Sequence, residues 1–290
     1  MNPIPRAGSE GSGSLVLVGT PIGNLGDLAP RVIEVLRDAD VIACEDTRRT
    51  RGLLSHAGVA GAGRLRSIAA HDEIAQADWV VEQVRAGSKV AYVTDAGMPG
   101  ISDPGSRLVR ACLDAGHAVE VVPGPTAVTA ALVLSGLATE RFVFEGFLPR
   151  KGTARSERLV EIAAERRTVV VYESPRRVLA TLRDLAAHCG DQRPAALARE
   201  LTKLHEEVRR GTLGEIMEIL GDDEPRGECV IVIGGSLHDR VDATPAEVDG
   251  ALALEIKGGA STRDAAAIVA ARFGIPRREA YERAVRLSSR

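Results

Sequence analysis

Cysteine and aromatic residues are scarce in this chain of 290 residues, which has four cysteines and 3% aromatic residues. With so few aromatic side chains, the sequence disfavours a single-strand nucleic-acid binder that stacks bases on rows of rings. No two cysteines have CxxC spacing and no Cys/His cluster has the spacing of a zinc site, so we expect no bound metal. Each cysteine lies beside aliphatic residues, which predicts buried, reduced thiols at Cys44, Cys112, Cys189 and Cys229.

Long apolar runs and a strong excess of one charge are also missing. The 37 basic and 40 acidic residues leave a net charge of -3, which excludes a globally basic nucleic-acid coat. The longest apolar stretch, residues 127–137, is too short and too interrupted to span a bilayer. Residues 1–14 are rich in Gly, Ser and Pro and lack the apolar core of a signal peptide, so we expect a disordered tail. These features predict a cytoplasmic protein that does not associate with membranes.

Short β-branched runs alternate along the chain with amphipathic helical patterns. Hydrophobic residues make up 44% of the chain and charged residues 27%, which is typical of a globular protein with a large core. The alternation predicts an α/β fold with a mostly parallel sheet and helices on both faces. Strand patterns occur at residues 15–18, 41–44, 89–93, 118–122, 142–144, 168–172, 195–198 and 229–233.

The strand patterns pause near residues 138–140, where we predict a boundary between two α/β domains, 15–138 and 139–240. Residues 245–290 contain no strand pattern, and the last two helices predicted there fit a helix-turn-helix. The three helices of this tail are predicted at 246–256, 262–272 and 277–288. Candidate residues for helix starts along the chain are Asp27, Ser102 or Asp103 with Pro104, Ser261 and Pro276.

Glycine-rich or charged segments directly follow several of the predicted strands. Open α/β sheets bind ligands at the carboxyl ends of their strands, so these segments are candidate binding loops. Because they occur in both α/β halves, they suggest a ligand in the cleft between the halves. The segments are 19–27, 45–51, 95–105, 123–127, 172–177 and 198–203.

Four of these loops can be interpreted individually. Segment 19–27 lacks the Lys-Ser/Thr pair of a P-loop and the GxGxxG spacing of a dinucleotide site, which leaves a structural turn as an alternative. Segment 45–51, Glu-Asp-Thr-Arg-Arg-Thr-Arg, is either a charged helix cap or a polar cluster at a substrate mouth. Segment 95–105 has three glycines and two prolines, and we interpret it as a ligand loop. In segment 123–127, Gly124 would let a ligand approach the backbone.

A series of motifs resembles the tetrapyrrole-methylase superfamily of S-adenosylmethionine (SAM)-dependent methyltransferases. The motifs are LVLVGTPIGNLGDL, ACEDTRRT, VTDAGMPGISDPG, VVPGPTAVTAAL, FEGFLPRKG, VVYESPRR and ARELTKLHEE. Within the superfamily, the chain and its helical tail resemble the branch that methylates ribosomal RNA of the small subunit. The resemblance implies two α/β domains with SAM in the cleft between them. It also implies that the acceptor is a cytidine 2′-hydroxyl in the decoding region of 16S rRNA.

The resemblance further implies positions in the site, with the first glycine-rich loop on the acceptor side. The chain departs from the expected family residues at Met98, Gly100 and Arg176, where we expect Thr, Leu and His, and Met98 would keep backbone contacts with the donor. The predicted SAM site combines residues of the ligand loop and Gly124 with the positions that the resemblance implies. It comprises Asp95, Gly97, Met98, Pro99, Gly100, Ile101, Ser102, Gly124, Thr126, Ala127, Tyr172, Ala198, Arg199 and Glu228.

Methyl transfer to a ribose hydroxyl needs a group that accepts or shares the hydroxyl proton. The candidates at the cleft are Glu45, Asp46, Asp95 and Lys203, and a lysine would have to be neutral to act as a base. We favour a carboxylate of Glu45 or Asp46, oriented by Arg48. The alternative is that these groups bind RNA phosphate or only hold the loop.

RNA binding needs a basic surface, and two segments carry a local excess of basic residues. Residues 141–177 hold nine basic and five acidic residues, and residues 251–290 hold eight and four. The basic loop 150–155 is therefore a candidate RNA contact. The partners we expect are small-subunit ribosomal RNA within an assembled particle and a second copy of the chain.

Two other functions remain open. A methyltransferase of the same superfamily could act on a corrinoid precursor or on a protein side chain, although the basic loop, ACEDTRRT and the helical tail favour RNA. Alternatively, the tail could be the DNA-binding helix-turn-helix of a ligand-sensing regulator. Such a regulator would not need polar loops from both halves to face one cleft.

Overall fold

The structure is a computed structural model that describes residues 13–68, 73–221, 225, 227–236, 245–273, 275 and 277–288. Of the predicted N-terminal tail, residues 1–12 lie outside the described residues, and Ser14 already begins the first strand. Pro276, which the sequence places in the first turn of the last helix, also lies outside them. None of the helices built from the described residues is both long and apolar enough to cross a membrane.

The first lobe is built on a parallel sheet with the strand order β3-β2-β4-β1-β5. Its strands are β1 Ser14–Val18, β2 Val41–Cys44, β3 Leu65–Ser67, β4 Lys89–Val93 and β5 Ala118–Val122. Its helices are α1 Pro30–Asp38, α2 Thr47–His56, α3 Glu73–Arg85 and α4 Ser106–Asp114. Helices α1 and α2 pack in the hydrophobic core on one face, and α3 and α4 pack in the core on the other. The predicted parallel sheet with helices on both faces is confirmed for this lobe.

The second lobe is built on a mixed sheet with the strand order β6-β7-β10-β8-β9. Only β6 and β7 pair in parallel, whereas the other neighbours are antiparallel, so the prediction of a mostly parallel sheet is wrong here. The strands are β6 Phe142–Phe147, β7 Thr168–Glu173, β8 Pro194–Arg199, β9 Glu207–Thr212 and β10 Cys229–Ile233. Alternating strand and helix patterns do not report strand direction, because a connection can return the chain from either end of a sheet.

Helices cover both faces of the second sheet. The helices α6 Thr153–Ala164, α7 Val178–Cys189 and α8 Leu213–Leu220 share one core, and α5 Ala127–Ser135 packs on the opposite face. In that second core, Val128 and Leu132 of α5 pack with Val170 and Val230 of the sheet. Helix α5 therefore precedes the boundary predicted near 138–140 but contacts the second sheet. That boundary stays a prediction of where the chain divides.

The predicted helical tail is confirmed as three helices that pack around their own core. They are α9 Pro245–Lys257, α10 Thr262–Phe273 and α11 Arg277–Ser288, with Leu252, Val269 and Ala280 buried between them. The Oγ of Ser261 accepts a hydrogen bond of 3.2 Å from the backbone N–H of Asp264, as expected of a helix cap.

Two other predicted helix starts are wrong. Asp27 ends a short 3-10 turn that Asn24 caps, and α1 begins later, at Pro30. Helix α4 begins at Ser106, so Ser102, Asp103 and Pro104 precede it and do not cap it. The free N–H groups at the start of α4 are bonded by Glu73 of α3. Because Glu73 is distant in sequence, the residues around the start of α4 could not predict this contact.

The four cysteines are free thiols. Cys44, Cys112 and Cys229 are buried as predicted, whereas Cys189 is only half-buried. Burial raises the pKa of all four thiols, and that of Cys229 reaches about 11, so they stay protonated and unreactive at neutral pH.

Candidate functional site

The cleft between the lobes contains a cavity of about 400 Å³. The first lobe contributes the loops that follow β2 and β4, which lie at the carboxyl edge of the parallel sheet. The second lobe contributes Phe147, Tyr172 and the start of β10. The cavity therefore lies where the sequence places the ligand, at the strand ends and between the two α/β halves.

The structure brings most of the predicted donor-site residues to this cavity. Its wall includes Asp95, Gly97, Met98, Ile101, Ser102, Thr126, Ala127, Tyr172 and Glu228. Pro99, Gly100, Gly124, Ala198 and Arg199 do not line it. Ala198 is buried in the core beneath α5, and Arg199 forms an ion pair with Glu207 on the neighbouring strand.

The ligand loop 95–105 is held against the first glycine-rich loop by paired backbone hydrogen bonds. The N–H of Thr20 donates to the Gly97 carbonyl at 2.9 Å, and the Gly97 N–H donates to the Thr20 carbonyl at 3.1 Å. Gly97 has a φ of +80°, a left-handed conformation that favours glycine. These bonds fix one end of the loop where it enters the cavity wall.

Gly124 packs against the backbone of the first glycine-rich loop, and the close ligand approach that the sequence suggests for it stays a prediction. A Cβ at this position would lie 2.7 Å from the carbonyl carbon of Gly19, so the two loops can touch only if this residue is glycine. The Gly124 N–H points to the Sδ of Met98 at 3.2 Å. The side chain of Met98, where the family pattern predicts Thr, thus fills space between the loops.

A second cavity of about 380 Å³ lies beside the first. Its wall includes Pro21, Gly23 and Leu25 of the first glycine-rich loop, Leu53 of α2 and Lys203 of the second lobe. The two cavities share wall residues: Ile22, Arg49, Asp95, Ala96 and Glu228. The cleft therefore offers two adjoining compartments, of which the second lies at the loop that the resemblance assigns to the acceptor.

Lys203 joins the lobes and is held in its charged form. Its Nζ lies 2.9 Å from Oε1 of Glu200 and 3.1 Å from Oε2 of Glu228, and a Cβ on Gly23 of the first lobe would overlap its side chain. Burial acts to lower the pKa of Lys203, but the hydrogen bonds from Lys203 to the two carboxylates outweigh it and leave the pKa raised. A protonated ammonium cannot act as the base that we considered for this residue.

Glu45 and Asp46 are neighbours in sequence but have different surroundings. Asp46 caps α2, since its Oδ1 accepts the N–H of Arg48 at 2.8 Å, and its Oδ2 lies 2.8 Å from the Arg48 guanidinium. The hydrogen bonds from Arg48 lower the pKa of Asp46 to about 2. Neither residue lines either of these two cavities, and the Arg48 side chain is 85% exposed.

Glu45, by contrast, lies in the wall of the first cavity. Burial raises its pKa above the usual range, and the nearby Asp95 carboxylate acts in the same direction. A carboxylate with a raised pKa is a stronger base than an exposed one. The helix-cap interpretation therefore describes Asp46, whereas Glu45 has the position and environment of a group that can accept a proton.

Three charged residues of the cavity wall are missing from the site predicted from the sequence: Arg49, Asp103 and Glu173. The sequence predicts Asp103 only as a helix cap, yet it lines the cavity, and burial together with Glu45, Asp95 and Glu228 raises its pKa to about 6. Arg49 lines both cavities and lies 3.4 Å from Asp95. The run of arginines in ACEDTRRT was the available signal for Arg49, but it did not show which arginine turns inward.

The chain matches known proteins along most of its length. The family described as tetrapyrrole (corrin/porphyrin) methylases matches residues 14–217, and the RsmI C-terminal HTH domain matches residues 242–288. Among solved structures, the methyltransferase CobJ has a TM-score of 0.59 at 22% identity, covering 79% of this chain and 97% of that one. A uroporphyrin-III C-methyltransferase from Thermus thermophilus, complexed with S-adenyl homocysteine, has a TM-score of 0.55 at 24% identity, with coverages of 77% and 97%. At these identities the structures show a shared fold.

Several curated relatives carry the name ribosomal RNA small subunit methyltransferase I. The relative from Synechocystis sp. is 42% identical and covers 96% of this chain and 99% of that protein. The relative from Mycobacterium tuberculosis is 45% identical, with coverages of 93% and 94%. The relative from Escherichia coli O157:H7 is 40% identical, with coverages of 97% and 97%. By both its fold and these full-length matches, the chain belongs to the tetrapyrrole methylase family, in the group of the ribosomal RNA small subunit methyltransferase I proteins.

Proposed function

We propose that this protein is a SAM-dependent methyltransferase of small-subunit ribosomal RNA, and that it methylates the ribose 2′-hydroxyl of a cytidine in the decoding region. The relatives' names support ribosomal RNA as the substrate. The observation that carries the proposal is the pair of adjoining cavities between the lobes, which share Arg49, Asp95 and Glu228. One compartment takes the donor and the other the acceptor nucleotide.

The first cavity has the size and chemistry that SAM requires. Its volume falls in the range of small-molecule sites, roughly 300–1,000 Å³, and Ile22, Ile101 and Val230 give it apolar walls for an adenine ring. Carboxylates of Asp95, Asp103 and Glu228 suit the positive charges of the sulfonium and the amino group. When bound, SAM supplies an electrophilic methyl group, and the protein contributes position and electrostatics.

The second cavity suits a nucleotide because apolar and cationic groups share its wall. Leu25 and Leu53 offer apolar contacts, while Arg49 offers a guanidinium that can pair with phosphate. Glu45, in the wall of the first cavity, would accept the proton of the 2′-hydroxyl as its oxygen attacks the methyl group.

The competing functions explain fewer of these features. A tetrapyrrole or protein substrate would not account for relatives that are named as ribosomal RNA methyltransferases. It would also give the matched C-terminal HTH domain no role. A ligand-sensing regulator would not need a second cavity joined to the first. A ribosomal substrate would also place the protein in the cytoplasm, where we expect it to act as a homodimer on an assembled particle.

The decisive experiment replaces the target cytidine with its 2′-deoxy form in otherwise identical small-subunit particles. Only RNA carries the 2′-hydroxyl, so the deoxy particle should bind but accept no methyl group, measured by transfer of labelled methyl from SAM. Label on the base of that nucleotide, or on a corrin precursor, would refute the proposed acceptor. Equal labelling of naked RNA and particles would refute the requirement for an assembled substrate.

The loop before α6 gives a prediction about RNA affinity. Arg150 and Lys151 are exposed, whereas Arg155 is only 11% exposed and bonds to Asp184, so Arg155 is structural and not the free RNA contact we predicted. Replacing Arg150 and Lys151 by Ala should weaken RNA binding and reduce its salt dependence, because fewer counterions are released. Titrations at several salt concentrations measure both effects.

A matched control removes the same charge elsewhere. Arg37 and Arg85 are exposed on the first lobe, and their double Ala variant changes the net charge equally. We expect it to keep the salt dependence of the wild type. If the two double variants behave alike, the loop before α6 is an ordinary solvated surface.

The raised pKa of Asp103 predicts how donor binding depends on pH. Below a pH of about 6 its carboxyl is neutral, and above that value it is charged and attracts the sulfonium. SAM affinity should therefore rise as the pH increases through 6, whereas S-adenosylhomocysteine, which has no sulfonium, should respond less. Calorimetry on both sides of this pH measures the difference. The variant Asp103→Asn should lose this dependence, and an unchanged profile in that variant would contradict the assignment.

A further inference from the structure

A buried carboxylate outside both cavities anchors the far end of the ligand loop. Glu73 is the first residue of α3 and is 5% exposed. Its Oε1 accepts backbone N–H groups of Gly105 at 2.9 Å, Arg107 at 2.8 Å and Leu108 at 3.4 Å. These bonds reach from the start of one helix to the start of another.

Helix α4 depends on this external acceptor. Its N-cap residue is Gly105, which has a φ of +135°. A glycine has no side chain to accept a hydrogen bond from the first N–H groups of the helix. The first N–H groups of any α-helix lack partners within the helix, and a carboxylate beside them also complements the helix dipole. Glu73 supplies both the acceptor atoms and the negative charge.

The segment between Pro99 and Gly105 forms a closed loop. The Gly100 N–H donates to the Pro104 carbonyl at 2.9 Å, and a Cβ on Gly105 would lie 3.1 Å from the Gly100 nitrogen and 3.2 Å from the Cβ of Pro99. The backbone pairing of Gly97 with Thr20 holds the entry to this loop, and Glu73 holds its exit. The residues between these two anchors include Ile101, Ser102 and Asp103 of the cavity wall.

We propose that Glu73 is a positioning residue for the methyl donor. By holding the start of α4, it fixes the loop that carries Ile101, Ser102 and Asp103 in the geometry that the donor needs. The inference rests on the proposed placement of SAM in the first cavity. Glu73 lines neither cavity, so its contribution is to donor affinity and not to the chemical step.

The variant Glu73→Gln tests this role, because glutamine keeps the size of the side chain but removes its charge. Charge-assisted hydrogen bonds are about twice as strong as neutral ones, so the loop should be held less firmly. We expect the Kd and KM for SAM to rise about tenfold, with kcat at saturating SAM within about twofold of the wild type. Hydrogen exchange of the Gly105, Arg107 and Leu108 amides should speed up in the free variant and slow again when SAM is added.

A matched control removes a helix cap whose residues line neither cavity. Thr212 and Glu215 form the capping box of α8 in the second lobe, and Thr212→Ala breaks it. This variant should lower the melting temperature by about 2 to 4 °C and leave SAM affinity unchanged. Comparison with Glu73→Gln separates a loss of general stability from a loss of loop position.

Two results would overturn the assignment. One is wild-type SAM affinity in Glu73→Gln despite a lowered melting temperature, and the other is an equal loss of SAM affinity in Thr212→Ala. Since binding of SAM is measured without RNA, the proposed substrate is tested separately. A protein that binds SAM in the predicted way but methylates no RNA would refute the substrate and leave the role of Glu73 standing.

Discussion

Replacing Glu45 by Gln is expected to lower kcat by about 10² to 10⁴-fold at saturating SAM, the usual contribution of a general base. The carboxylate lies in the cavity wall, and burial raises its pKa, so it is poised to take a proton from a hydroxyl beside it. The glutamine variant keeps the shape of the side chain but cannot accept the proton. Single-turnover methylation of small-subunit particles measures the chemical step directly.

The neighbouring variant Asp46→Asn is the matched control, because it removes one carboxylate one residue away. Asparagine caps helices about as well as aspartate, so α2 should keep its start. The pair with Arg48 is exposed, and such pairs contribute little to stability. We expect near-wild-type turnover and folding in this variant.

The opposite pattern would be informative. If Asp46→Asn lost turnover and Glu45→Gln did not, the assignment of the two carboxylates would be reversed. Full activity in both variants would remove this segment from proton transfer and direct attention to Asp103, the other cavity carboxylate with a raised pKa. Lys203 would not be the next candidate, because its two carboxylate partners keep it protonated.

Replacing Gly97 by Val is expected to weaken SAM binding about a hundredfold or more, which corresponds to about 3 kcal/mol. A Cβ at Gly97 would meet only ordinary contacts, 3.5 Å from the Ile22 Cγ2 and 3.7 Å from the Pro125 carbonyl oxygen. The further methyl groups of valine would occupy space in the cavity that Gly97 lines. Calorimetry with SAM gives the affinity, and circular dichroism shows whether the variant folds.

Backbone strain is the confounding effect, and Gly116 supplies the control for it. Gly97 and Gly116 have φ values of +80° and +76°, so a valine is strained at both, by roughly 1–2 kcal/mol. A Cβ on Gly116 meets nothing within 4 Å, and this residue lies in the turn between α4 and β5, outside the cavity wall. We expect Gly116→Val to lose stability but keep SAM affinity. Similar affinities in the two folded variants would remove Gly97 from the donor site.

Much of the first lobe was predictable because its strands are buried between two helical layers. Runs such as Val41–Cys44 and Lys89–Val93 are apolar along most of their length, which marks a strand covered on both faces. The edge strands β3 and β9 were missed. Leu65–Ser67 has only three residues, and Glu207–Thr212 carries charged side chains, of which Glu207 pairs with Arg209 on the same strand and with Arg199 on β8.

The ligand loop 95–105 and its glycines were recognisable because their composition has a local cause. The left-handed backbone conformation of Gly97 favours glycine, and this preference depends on the residue's own φ and ψ angles. Gly124 also reads as a special position, but the reason is a contact with Gly19, more than a hundred residues away in sequence. The sequence therefore identified both glycines as special positions. It could not predict the contacts that they make across the fold, of Gly97 with Thr20 and of Gly124 with Gly19.

The sequence by itself determined the α/β class, the helical tail and the strand ends at which the cleft opens, since hydrophobic period and turn composition are local properties. The tertiary structure alone decided which neighbours act together. It separated Glu45 from Asp46, because the chain leaves β2 with one side chain toward the cavity and the other on the start of α2. It also brought Lys203 to Gly23 and Glu73 to the start of α4. Such contacts join residues that are distant along the chain, and their geometry is fixed only when the two sheets and their helices pack.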